Sequence, residues 1–169
     1  MIILLGLAAT ACGSSSTPTT PPSAGGGSSG SSSGSVAVKT AKVSGLGTVL
    51  VDGTGRTLYV FAPDKAKKVT CTGSCASVWP PLKVASGQKP TLSGGVKASL
   101  VSSDPDPSGG SVVTYKGWPL YAYVADPSAG TAHGQALNSS GGLWYVITPS
   151  GQVIKKKAGA GASTNGNGY

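Results

Sequence analysis

The sequence predicts an all-β fold: a single antiparallel β-domain built from two tandem repeats. Three observations predict it. Short runs rich in Val, Leu, Tyr and Thr are separated by Gly-containing turns. One stretch recurs at a fixed offset later in the chain. No long stretch carries the three-to-four-residue periodicity of an amphipathic helix.

The first hairpin is expected from Val49-Leu50-Val51, the turn Asp52-Gly53-Thr54-Gly55, and Thr57-Leu58-Tyr59-Val60-Phe61-Ala62. A second joins Val112-Val113-Thr114-Tyr115 to Leu120-Tyr121-Ala122-Tyr123-Val124 through Lys116-Gly117. A third joins Leu143–Thr148 to Gln152-Val153-Ile154 through Pro149-Ser150-Gly151. A short helical turn is expected around residues 74–78.

The segment 55–64 aligns with 117–126 at an offset of 62, the difference between Tyr121 and Tyr59. Each copy is followed by a long loop and then a Trp, Trp79 or Trp144. Two copies are too few for a solenoid and indicate a duplicated unit sharing one core. Alternation along a strand puts Leu58, Val60 and Ala62 on one face and Tyr59 and Phe61 on the other. Leu120, Ala122 and Val124 lie likewise opposite Tyr121 and Tyr123. Both faces are apolar, so these strands are expected to be central and covered on both sides. Asp64 and Asp126 fall just past the strand ends, where a carboxylate accepts hydrogen bonds from turn amides.

Outside the domain the composition changes. Ile2–Ala11 is apolar, too short to span a membrane, and is followed by Cys12. It reads as a signal peptide over residues 1–11. Ala9-Thr10-Ala11-Cys12-Gly13 resembles a lipobox, so Cys12 is expected to carry lipid. The position of Ala9 usually holds Leu in that motif. No Lys or Arg precedes the apolar run, so the natural leader is expected to start upstream. The alternative is an ordinary secretory signal with Cys12 free. Residues 12–35 contain, beyond Cys12, only Gly, Ser, Thr, Pro and a single Ala, and are expected to be a disordered tether. Residues 158–169 are expected to be a disordered tail. The β-domain is then 36–157, with repeats at about 48–83 and 111–149.

Lysine and arginine number 13 against 5 acidic residues, all Asp, for a net charge of +8. Such a protein is drawn to anionic headgroups or acidic envelope polymers. The lysines are scattered, and their one run, Lys155–Lys157, has no aromatic neighbours in sequence, which argues against nucleic acid. The expected partners are the membrane, through Cys12, and anionic envelope polymers or another surface protein.

The motifs Leu58-Tyr59-x-Phe61-x-x-Asp64 and Cys71-x-x-x-Cys75-Ala76-x-x-Trp79-Pro80-Pro81-Leu82 resemble those of the bacterial secreted-repeat lipoproteins. Those are described as predicted lipoproteins with a Tyr-x-aromatic-x-x-Asp motif. Pro119-Leu120-Tyr121-x-Tyr123-x-x-Asp126, Gly130, Gly134-Gln135 and Gly141-Gly142-x-Trp144-Tyr145 are similar to the same family. The resemblance implies secretion, tandem repeats and lipid anchoring. It implies no activity, because the family is one of unknown function.

Two readings are open for Cys71 and Cys75. Outside the cytoplasm nearby thiols oxidise, giving a structural disulfide. Alternatively the pair is a functional thiol pair, for redox or, with His133, for copper, since thiolates favour Cu(I) and imidazole is a competent third ligand. Haem attachment is disfavoured by Ala76. The aromatic residues Tyr59, Phe61, Trp79, Tyr121, Tyr123 and Trp144 could face a sugar or a quinone, or form a core. Alternation favours the core. Asp64 and Asp126 fit turn capping better than acid–base catalysis, and Asp104 with Asp106 falls short of a calcium site. No catalytic constellation is found. The expectation is a non-enzymatic binding module without a cofactor.

Overall fold

The computed structural model describes residues 36–64 and 68–157. The expected signal peptide, Cys12, the tether and the 158–169 tail lie outside the described residues.

Among the described residues ten strands and one short helix follow in order: β1 (Ala37–Val43), β2 (Gly47–Asp52), β3 (Tyr59–Phe61), α1 (Ser74–Val78), β4 (Lys83–Val84), β5 (Thr91–Leu92), β6 (Val101–Pro105), β7 (Ser111–Tyr115), β8 (Trp118–Pro119), β9 (Asn138–Ser139) and β10 (Gly142–Val146). A 3-10 turn, Ala98–Leu100, precedes β6. The fold is mostly antiparallel sheet with little helix, as the sequence predicts.

At the centre β3 pairs with β10 in the register Trp144↔Phe61, Tyr145↔Val60, Val146↔Tyr59. On its other side Tyr59 faces Tyr121. The Tyr59 N–H donates to the Tyr121 carbonyl at 2.8 Å, and the Tyr121 N–H donates to the Tyr59 carbonyl at 3.0 Å. Residues 120–124 then run against 78–82: Ala122 N–H donates to Pro80 O, Val124 N–H to Val78 O and Leu82 N–H to Leu120 O. Pro81 stands opposite Tyr121 between two of these bonds, where its missing N–H costs the pair nothing. The result is a four-row antiparallel array, 78–82, 120–124, β3, β10. A local twofold relation passes between Tyr59 and Tyr121.

The flanking hairpins obey the same relation. β1 and β2 pair from Val38↔Asp52 to Val43↔Gly47, and β6 and β7 from Val101↔Tyr115 to Pro105↔Ser111. β2 attaches to the second repeat through Leu50 N–H to Ile147 O. β7 attaches to the first through Val113 N–H to Leu82 O. β5 pairs parallel with β1, and β4 and β8 pair with β7.

The central array has a core on each face, and the strand alternation accounts for both. One core holds Tyr59, Phe61, Trp79, Tyr121, Trp144 and Val146 with Cys71. The other holds Leu58, Val60, Leu120, Val113, Tyr115 and Ile147.

The three expected hairpins fare differently. The third is present: Ile147 bridges Val153, and Ile154 N–H donates to Val146 O. The second turns at Lys116 (φ 51°) and Gly117 (φ 80°), the two left-handed residues of a primed hairpin turn. Its second arm is regular only over β8, and Val124 is 57% exposed rather than covered. Val124 lies at a corner of the array, where the chain is already turning toward Asp126. The first hairpin shrinks to the bridge Val51↔Thr57 with a Leu58 N–H to Leu50 O bond. The main partner of β2 is β1, because β3 is drawn away to β10 and Tyr121. The helical turn is found as α1, which buries none of its residues fully.

Candidate functional site

The Tyr-x-aromatic-x-x-Asp motif closes across the two repeats, not within one. The Tyr59 hydroxyl donates to Asp126 Oδ2 at 2.7 Å, and the Tyr121 hydroxyl donates to Asp64 Oδ2. The spacing explains the swap. In an extended strand five residues carry Asp well beyond the Tyr, so each Asp arrives beside the Tyr of the antiparallel neighbour.

Each carboxylate uses its other oxygen to close its own long loop. Asp64 Oδ1 accepts the Thr70 N–H at 2.8 Å, and Asp126 Oδ1 accepts the His133 N–H at 2.8 Å. The next residue in each loop turns its amide to the opposite tyrosine. Gly134 N–H donates to the Tyr59 hydroxyl at 3.3 Å, and the Cys71 amide faces the Tyr121 hydroxyl. Burial, then the bond to a carboxylate, holds both phenols well above their usual ionisation range. The expected turn-capping role of Asp64 and Asp126 is present, joined to a cross-repeat role that sequence reasoning did not reach.

The aromatic residues form a stack with the same symmetry. Trp79 and Trp144 lie face to face, centroids 3.9 Å apart and 1° from parallel. Outside them Tyr123 stacks on Trp79 at 4.1 Å and Phe61 stacks on Trp144 at 4.3 Å. Tyr59 meets Trp79 edge-on, and Tyr121 meets Trp144 edge-on. Each Trp therefore stacks on an aromatic residue of the other repeat. Trp79, Trp144, Tyr59 and Tyr121 have no exposed surface. They are core residues, and only Tyr123 reaches solvent in part. The Trp144 indole N–H donates to Ser139 O at 3.0 Å.

Cys71 and Cys75 are bonded to each other, with Cα atoms 5.2 Å apart, at the start of α1. Cys71 is buried against the aromatic core. His133 is held by its backbone to Asp126, while its side chain is 61% exposed, with Nδ1 3.3 Å from the Ala125 carbonyl. Among the described residues no group of three or more His, Cys, Asp or Glu is placed to hold a metal ion.

The remaining carboxylates are also engaged internally. Asp52 accepts from Thr54 N–H and Oγ1, from Arg56 N–H and from Arg56 Nε at 3.0 Å. Its burial favours the neutral acid, but these donors outweigh that and keep it below the usual carboxylate range. Asp106 pairs with Lys83 Nζ at 2.7 Å and accepts from Ser108. Against the same opposing effect of burial, it too is lowered.

Two features were missed at the sequence level. Gln135 is buried and acts as a clamp: Oε1 accepts Val146 N–H, while Nε2 donates to Ile154 O and Lys156 O. Trp118 and Tyr145 line a groove of about 400 Å³ with Val60, Ala62, Leu143, Val153 and Lys155. Lys155, the first residue of a lysine run isolated from aromatic residues in sequence, thus shares a groove with two of them in the fold. The only hint was the Gly134-Gln135 pair, whose role no local pattern reveals.

A family model described as a secreted repeat of unknown function matches residues 40–83 and 104–148, together more than half of the chain. Each match starts upstream of the repeat bounds read from sequence and takes in part of the hairpin that precedes it. No curated protein and no solved structure matches the chain. Among the described residues no helix is long and apolar enough to cross a membrane.

Proposed function

The chain belongs to the family of secreted repeats of unknown function, and from that premise we propose that it is a non-enzymatic interaction module, tethered to the cell membrane by lipid on Cys12. The observation that supports the non-enzymatic part is the engagement of its motif tyrosines, carboxylates and paired cysteines. The two motif tyrosines and their aspartates bind each other, Cys71 binds Cys75, and Asp52 and Asp106 hold Arg56 and Lys83. An acid, base or nucleophile must instead be free to meet a substrate. The apolar run before Cys12 and the Gly/Ser/Thr/Pro segment after it support the tether.

Fractionation of cells tests the anchor. The native chain is expected to sediment with membranes and the Cys12→Ala chain to appear in the soluble fraction. Sedimentation of Cys12→Ala with membranes would refute lipid anchoring.

A further inference from the structure

All five acidic residues of the chain are buried: Asp52, Asp64, Asp104, Asp106 and Asp126 are each at most 9% exposed. The chain has no Glu. The described surface therefore offers lysines with no exposed acidic side chain among them. Arg56, the single Arg, is tied to Asp52, and Lys83 is tied to Asp106.

A groove on this surface combines aromatic side chains with a lysine. The groove is lined by Trp118, Leu143, Tyr145 and Lys155, and Lys155 is followed in the chain by Lys156 and Lys157. Trp118 and Tyr145 are half-buried, Leu143 is 38% exposed, and all three lysines are exposed. The backbone under the lysines is fixed, because the buried Gln135 amide holds the carbonyls of Ile154 and Lys156 at 2.6 Å each. A flexible run would lose conformational entropy on binding, and a pinned one loses less.

We infer that this groove and its lysine rim bind a linear phosphate polymer with a polyol or sugar backbone. The carbon backbone lies on Trp118 and Tyr145, and the phosphates meet Lys155, Lys156 and Lys157. A lysine is a point charge suited to phosphate, whereas bidentate carboxylate recognition calls for arginine. A concave groove accepts a chain and not the plane of a bilayer. The inference rests on the reading of the domain as an interaction module, and is tested apart from its anchor.

The full chain carrying Cys12→Ala is titrated with a glycerol phosphate polymer, and binding is followed by tryptophan fluorescence and calorimetry. Neutral dextran, duplex DNA and phosphatidylglycerol vesicles serve as comparison ligands. Binding to the polymer is expected to weaken with salt. Changing Lys155, Lys156 and Lys157 to Gln should weaken it on the order of a hundredfold at low salt, at about 1 kcal/mol for each lysine. The salt slope should fall by about 2, the value for three contacts on a single strand. Changing Lys42, Lys89 and Lys97 to Gln removes the same charge and should cost less than about tenfold if rim contacts dominate. Trp118→Leu, with its thermal midpoint checked, should weaken binding several-fold at an unchanged salt slope. Equal losses in the two triple variants, or equal binding to duplex DNA, would reduce the effect to net charge and overturn the site. Unchanged affinity in Trp118→Leu would remove the groove from it. Tighter binding to vesicles than to polymer would replace the polymer by a membrane surface. Failure here leaves the Cys12→Ala fractionation result untouched, so the two readings fail separately.

Discussion

Replacing Tyr59 by Phe removes one hydroxyl from a site with no solvent access. That hydroxyl donates to Asp126 Oδ2 at 2.7 Å and accepts the Gly134 N–H at 3.3 Å. Without it, a buried carboxylate oxygen and a buried amide lose a partner together. A bond to a charged group is worth roughly 1.5–3 kcal/mol, and the longer amide contact adds little, so the expected loss is about 2–3 kcal/mol. Asp126→Ala should cost more, about 3–4 kcal/mol, because the His133 N–H is left bare as well. The double variant should cost less than the two losses combined, since they share one bond, with a coupling of about 1–2 kcal/mol. Tyr121→Phe and Asp64→Ala should repeat the pattern on the other side of the twofold. Urea unfolding gives these values if the slope stays constant. A Tyr59→Phe loss below about 0.5 kcal/mol, or strict additivity in the cycle, would refute the cross-repeat lock as a source of stability.

Trp144→Ala should cost about 3–5 kcal/mol in the same assay, because the ring is fully buried between Trp79 and Phe61. Gly134→Ala should cost about 1–3 kcal/mol, since a Cβ there would sit 2.6 Å from a Trp79 ring carbon; a neutral result would mean that the stack yields easily. Stability should fall as pH rises past 10.0, the usual tyrosine value. Below that pH both folded and unfolded tyrosines are protonated and the contribution is whole; above it the unfolded chain sheds protons that the folded chain retains. Tyr59→Phe/Tyr121→Phe should flatten this alkaline limb, and an unchanged limb would assign it elsewhere. Replacing Cys71 and Cys75 by Ser should cost about 2 kcal/mol, the figure for so short a loop. Thiol titration in glutathione buffer should find no free thiol, and tight His133-dependent Cu(I) uptake by the folded chain would instead establish the metal reading.

Strand alternation was the most legible part of the structure. It assigned Leu58 and Val60 to one core and Tyr59 and Phe61 to the other, because a two-residue period survives whatever the strand pairs with. Pairing itself was less legible. Val49–Val51 looked like the partner of 57–62, since an Asp-Gly turn joins them, yet β3 makes more bonds with β10 than local connection suggests. β1 went unseen because Lys39 and Lys42 break its apolar pattern. The Asp residues were correctly placed in turns, but the partner of each lies 57 or 67 residues away, beyond any local rule. The groove by Trp118 was invisible for the same reason. Lys155 meets Trp118 and Tyr145 only after the third hairpin folds back and Gln135 fixes its end.

The exchange of partners between repeats has a bearing on how such a domain can be divided. A lone first repeat would hold Tyr59 and Asp64 with no acceptor for the one and no phenol for the other, and Trp79 would lack both the rings it stacks on. Two separate halves would have to find each other, and their stability would depend on concentration. Joining them in one chain turns that encounter into an intramolecular step at a high effective concentration. The covalent link between residues 83 and 104 thus does the work of a subunit association constant. A half-length relative carrying the same motif would be expected to exist as a twofold dimer, with the tyrosine of one protomer bound to the aspartate of its partner.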